Sequence, residues 1–250
     1  MKKPLISIIV TYYNKKKYIK KTINSLINQT YKNYQLIFVF DNQDKEDLFF
    51  IKKILKKIKN KKIIINKKNL GVAKSRNLAL NYVKGKLIAF LDADDVWNKR
   101  KLEIQTKVML KKKVDLSYTS FDVIDEQGRF LNRRTVSKST SYNELVKKCE
   151  IGLSTVMVQS KIMKKNRFPL IKTQEDFGLW LKLLRKEFKF YAISKVCSSW
   201  RKNANSLSSN TSQKIKDAFT LFYKYENKNL IFSIFSVLIL SINKILNRNQ

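Results

Sequence analysis

Residues 5–41 read LISIIVTYYNKKKYIKKTINSLINQTYKNYQLIFVFD. Residues 5–11 are almost wholly apolar or β-branched, the mark of a buried strand. Tyr18, Ile19, Ile23, Leu26 and Ile27 then recur at helical spacing over residues 15–28. Residues 35–40 return to an apolar run. Strand, helix, strand in this order is a βαβ unit, which requires parallel pairing across a crossover.

The alternation continues. A helix is predicted over residues 47–59, with Leu48, Ile51, Ile54, Leu55 and Ile58 on one face. A strand follows at 62–65, a helix at 71–83 and a strand at 86–91. Repeated units of this kind predict an α/β fold: a Rossmann-like, mostly parallel sheet with helices on both faces. Ligands of such sheets bind at the carboxyl ends of the strands. Tyr12-Tyr13-Asn14, Asp41-Asn42, residues 66–69 and residues 92–95 stand there. Beyond residue 100 the pattern loosens. Helices are expected at 101–112 and 174–186, strands at 114–121, 155–158 and 196–200, and a turn at 125–128.

Residues 230–242 are apolar, broken by Ser233, Ser236 and Ser241, with Lys244 and Arg248 beyond. A helix of that length spans about 20 Å, short of the about 30 Å hydrocarbon core of a bilayer. Three readings stay open: an interfacial helix in peripheral membrane contact through 230–248, a helix packed on the core or in a homodimer, and a true span.

The chain has 250 residues, 44% of them hydrophobic, which excludes global disorder. Lys+Arg 53 against Asp+Glu 19 gives a net charge of +34. The lysines are spread along the whole chain rather than gathered in a patch, so no dedicated nucleic-acid partner is expected. A basic surface still favours anionic partners, including nucleotide sugars and acidic lipid headgroups. Cys149 and Cys197 have no metal spacing and form no disulfide framework, which points to a reducing compartment. The opening residues read as a strand rather than a signal peptide, so a cytoplasmic place is expected. There is no histidine. Every His-based triad and His metal ligand is therefore excluded, and acid–base work falls to carboxylates, Lys, Tyr or Cys.

The sharpest chemical feature is Phe90-Leu91-Asp92-Ala93-Asp94-Asp95, an apolar strand running into three carboxylates. Like charges so close are costly, and a divalent cation removes that cost. Hard oxygen ligands select Mg²⁺ or Mn²⁺. The plain alternative is an acidic loop in which Asp95 caps the next helix. Asp41 could take a hydrogen bond from a base N–H or close an Asx-turn. Gly71 opens a helix whose N-terminus favours anions, with Arg76 about one to two turns inside it; a simple cap explains the glycine equally. Glu175-Asp176 either complement a helix dipole or supply the general base.

Taken in order, these motifs resemble glycosyltransferase family 2, with its GT-A fold. Val10-Thr11-Tyr12-Tyr13-Asn14, Asp41, residues 69–77, residues 90–95 and Glu175-Asp176 carry the likeness. It is strong over 4–100, patchier to about 208 and absent in the tail. The resemblance implies a domain over 1–210, with a nucleotide-binding part at 1–100 and an acceptor-side part at 101–210, then a helical tail at 211–250. It implies an inverting transferase that uses a nucleotide-sugar donor with Mn²⁺ or Mg²⁺. The acceptor implied is a saccharide or lipid-linked saccharide of the bacterial envelope, at the inner face of the cytoplasmic membrane. Thr11, Tyr13 and Asp41 take the positions of the family's base pocket, and Arg76 that of its arginine near the nucleotide. Asp92 and Asp94 match the D-x-D acids, Asp94 the metal-binding one. Asp176 matches the catalytic base, with Glu175 beside it. Trp180 falls where an aromatic often borders the acceptor. Two departures stand out. The second strand keeps one acid of a usual pair, Asp41-Asn42. Within residues 200–208 Asn203 replaces a frequent His, leaving Arg201 and Lys202 to neutralise diphosphate. A non-catalytic sugar-nucleotide-binding partner protein is the rival expectation.

Overall fold

A computed structural model describes residues 3–136, 138–203 and 210–246. Nine strands form one continuous sheet, ordered β3-β2-β1-β4-β8-β6-β9-β5, with β7 paired to β6. The first four are β1 (Ile6–Tyr12), β2 (Tyr34–Phe40), β3 (Lys61–Ile65) and β4 (Leu87–Asp92). All pair in parallel, with β1 between β2 and β4. The mostly parallel expectation holds here. Past residue 92 the sheet is mixed. β5 (Val96–Trp97), β7 (Phe130–Arg134) and β8 (Met157–Gln159) are antiparallel to their neighbours, while β6 (Leu116–Ile124) runs parallel to β9 (Phe190–Arg201).

The period of two along each buried strand sorts side chains to two faces. Ile8, Val10, Phe38, Phe40, Ala89 and Leu91 face one cluster, closed by α1 (Lys16–Ile27), α2 (Lys45–Leu55) and α4 (Lys101–Lys112). Ile9, Ile37, Val39, Ile88 and Phe90 face the other. That side carries α3 (Val72–Ala79), α5 (Tyr142–Lys147), α6 (Ser160–Met163) and α7 (Glu175–Arg185). α8 (Thr211–Thr220) and a π turn at Leu221–Tyr225 close over α7, with Leu221 and Phe222 fully buried. The last helix is α9 (Leu230–Leu246). Of the segment at 200–208, residues 204–208 lie outside the described residues, as do 247 and 248 at the end of the tail.

Gly85 lets β4 enter beside β1. A Cβ there would stand 2.6 Å from both the Leu5 carbonyl oxygen and the Ser7 nitrogen, which are backbone and cannot rotate away. Gly85→Ala is expected to cost at least the about 1–3 kcal/mol of an overpacked core, read as a lower urea midpoint. An unchanged midpoint would mean that the two strands can part without loss.

Candidate functional site

The carboxyl ends of β1, β2 and β4 meet on one edge. Register places Thr11 beside Asp92 and beside Val39. Tyr13 follows β1 with 49% exposure. At the end of β2, Asp41 is buried, with both oxygens engaged by the chain. Oδ1 accepts from Asn66 Nδ2 at 2.7 Å and Leu70 N at 2.8 Å, and Oδ2 from Gly71 N at 2.9 Å. It thus fixes the glycine turn that starts α3, where Gly71 has φ 81. Asn42 binds Asn14 Oδ1 and Asp47 Oδ2 through one amide nitrogen. A second carboxylate in its place would have faced Asp47.

The buried guanidinium of Arg76 joins the ends of two elements. Nη2 donates to Asp92 Oδ1 at 2.7 Å at the tip of β4, and Nη1 pairs with Glu175 Oε1 at the start of α7. Its third side rests on the Phe168 ring, 5.6 Å from the centroid. Asn77, one residue on, holds Phe168 by its amide N–H and carbonyl. Arg76 is therefore a strut between the carboxylate at the end of β4 and that at the start of α7.

Asp176 sits beside that strut, half-buried, with Oδ1 accepting the Phe177 N–H at 2.8 Å. Burial, and then the neighbouring Glu175 charge, push its carboxyl up to about 7, while Arg76 pulls it down. Burial also raises Glu175 and Asp92 against the same guanidinium.

Asp94 pairs with Lys15 Nζ at 2.7 Å. Lys15 precedes α1, and nothing in the sequence set it apart from its many neighbouring lysines. Ser154 is a second residue the sequence did not disclose: its Oγ accepts the Asp92 N–H, and its carbonyl the Trp97 indole N–H. Asp95 does not cap the next helix, which starts at Lys101 behind Arg100. It turns inward and accepts the Arg201 N–H at 2.9 Å, and burial, with Asp94 and Asp92 behind it, pushes its carboxyl well above the usual range.

Two expected positions are corrected. Trp180 does not border an acceptor site. It is fully buried, tilted against Phe90 and edge-on to Phe168, because the apolar face of α7 turns onto the sheet. Arg201 is not held out toward a diphosphate. It is buried, donating to the carbonyls of Asp94, Asp125 and Glu126 and stacking 4.9 Å from the Tyr18 centroid. Its work is to pin the acidic loop. Lys202 is exposed and Asn203 half-exposed just beyond β9.

Asp92 and Asp94 can offer two hard oxygen ligands. Among the described residues no group of three or more His, Cys, Asp or Glu side chains could hold a metal. That donor set suits Mg²⁺ or Mn²⁺ shared with substrate phosphates, since such ions typically take one or two carboxylates. It does not suit an all-protein cage.

The family model described as glycosyl transferase family 2 matches residues 7–168. The chain is 31% identical over 245 residues to the Escherichia coli UDP-Glc:alpha-D-GlcNAc-diphosphoundecaprenol beta-1,3-glucosyltransferase WfgD, covering 96% of this chain and 94% of that one. S. aureus TarS 1–349 in complex with UDP-GlcNAc superposes with a TM-score of 0.74 at 22% identity, over 88% of this chain and 65% of that one. The mannosyltransferase PcManGT from Pyrobaculum calidifontis, in complex with GDP-Man and Mn²⁺, does so with a TM-score of 0.70 at 13% identity, over 92% and 66%. The two superpositions speak to the fold: the curled α/β sheet is that of TarS.

Proposed function

The chain belongs to glycosyl transferase family 2, and from that premise we propose that it is an inverting transferase. It moves a sugar from a nucleotide diphosphate, a UDP-sugar above all, to a hydroxyl of a saccharide or lipid-linked saccharide acceptor in envelope polysaccharide or glycolipid assembly. The UDP preference is supported by the donor in the name of the Escherichia coli relative and by the UDP-GlcNAc in TarS. The lipid-linked acceptor is supported by the diphosphoundecaprenol of the same relative.

One observation carries the reading. A buried arginine ties Asp92, at the donor end of the sheet, to Glu175, the neighbour of a carboxyl held at about 7. In the reaction Asp176 takes the proton of the acceptor hydroxyl. The oxygen's electron pair forms the bond to the anomeric carbon. The bond from that carbon to the diphosphate oxygen breaks, and the nucleotide leaves with the electron pair. Attack from the face opposite the leaving group inverts the configuration. Burial lifts Asp176 into the range where a carboxylate is both ionised and basic enough to help. A divalent cation shared by Asp94, Asp92 and the diphosphate would neutralise the charge of the leaving group. Lys15 and Arg76 pair with those two acids.

Thermal melts against nucleoside diphosphates and UDP-, GDP- and TDP-sugars, with and without Mn²⁺ or Mg²⁺, test the donor. A ligand at 100 times its Kd stabilises by about 2.7 kcal/mol, a clear shift. The expected result is a metal-dependent shift with UDP compounds that is lost in Asp94→Ala. A GDP response in place of UDP would overturn the donor assignment. No response from folded protein would favour a partner protein without catalysis.

A further inference from the structure

α9 is amphipathic the wrong way round for a helix of a water-exposed surface. Its inward face carries Ser233 and Ser236, buried beside Val237. Its outward face carries Ile231 at 81% exposure and Phe235 at 62%, with Ile234, Leu238 and Ile242 each about half exposed. A helix on a globular body normally turns such a stripe onto the core. Leu230, which opens the same helix, is 55% exposed, and an exposed apolar stripe of this kind marks a contact site.

We propose that this face of α9 seats on an anionic lipid surface. The charges around it select that occupant. Asp217 and Glu226, the acids of residues 211–246, are both buried, so that stretch exposes lysines and no carboxylate. Lys216 and Lys224 are exposed beside the patch, and Lys228 Nζ stands 5.1 Å above the Phe232 ring. At the other end Lys147 is exposed, and its carbonyl accepts the Asn243 amide of α9. A second copy would set a basic rim against a basic rim, because a two-fold contact pairs each surface with itself. Anionic headgroups meet the same rim with opposite charge. Among the described residues no helix is long and apolar enough to cross a membrane; in the proposed mode α9 lies in the interface plane. α9 packs on α5, and α5 on α7, whose first residues are Glu175 and Asp176. The helical layer that carries the proposed base therefore also carries the lipid-facing stripe. The inference stands on the surface alone, whatever the chain transfers.

The test is co-sedimentation of the full chain with vesicles of phosphatidylcholine alone and of phosphatidylcholine with phosphatidylglycerol. Binding to the anionic vesicles is expected, weakened by salt, with little binding to the neutral ones. Phe235→Glu with Ile231→Glu should lower it by about tenfold or more, since each loses an apolar side chain to burial. Both side chains are exposed, so the melt should match the parent. Lys216→Glu with Lys224→Glu should lower binding without touching the stripe. Unchanged binding in the first variant, or equal binding to neutral vesicles, would overturn the proposal. So would a lipid-free dimer in sedimentation velocity that Phe235→Glu dissociates, because a second copy would then own the face.

Discussion

Asp176→Asn is expected to lower turnover by about 10²–10⁴-fold, the usual weight of a positioned general base. The amide keeps the shape and can still accept the Phe177 N–H through Oδ1, so the start of α7 should hold. What it loses is the capacity to take a proton. The parent rate should rise with pH through about 7, as the carboxyl that burial has raised gives up its proton. The variant's residual rate should lack that limb. The stability effect has the opposite sign. A carboxyl whose folded pKa lies above its unfolded value costs the fold free energy once it ionises, so stability falls as pH rises from about 4 toward 7. Asn cannot ionise, and the variant should melt at or above the parent temperature at pH 8. A folded variant with parental turnover would sink the assignment. If Glu175→Gln then abolished the rate, the base would be its neighbour.

The first half of the fold could be read from the sequence because β1, β2 and β4 are buried on both faces and its helices on one. Each element there carries an unbroken apolar signature, and α4 runs over Lys101–Lys112 as its spacing predicts. β7 left no signature, since all of Phe130–Arg134 is exposed and nothing alternates. β9 was legible only over residues 196–200. Its register shifts twice against β6, and each shift breaks the period of two on which the reading depends. α9 was legible as a helix but not in orientation, because periodicity gives the stripe and not the side to which it turns. The acids of the site could be found, as clustered carboxylates at strand ends are rare enough to notice. Of their cations, Arg76 stood out by its place in the helix after Gly71, but Lys15 did not, hidden in a chain with Lys+Arg 53. Trp180 shows the limit of reading roles by position: the expected border of a site is a buried prop beneath Arg76, through Phe168.

Arg76→Met should be the most damaging single change to stability near the site. It leaves Glu175 buried and Asp92 half-buried without their shared cation, and breaking such a pair from one side costs about 3–5 kcal/mol. For a chain of this size that is a fall in Tm of about 10 °C. Stability alone would not separate a strut from a residue that sets the chemistry. The pH profile does. Arg76 pulls the Asp176 carboxyl downward, against burial and the Glu175 charge. Without it the acid limb of the rate should move to higher pH, at temperatures where the variant is still folded. Arg76→Lys keeps one positive charge but not the two arms that reach β4 and α7 together. It should hold the limb near its parental place while recovering only part of the lost stability. Glu175→Gln added to Arg76→Met removes the more buried of the two unpaired acids and should restore part of the Tm. A limb unmoved in Arg76→Met, despite the lower melt, would make Arg76 a purely structural tie and leave the tuning of Asp176 to burial and Glu175.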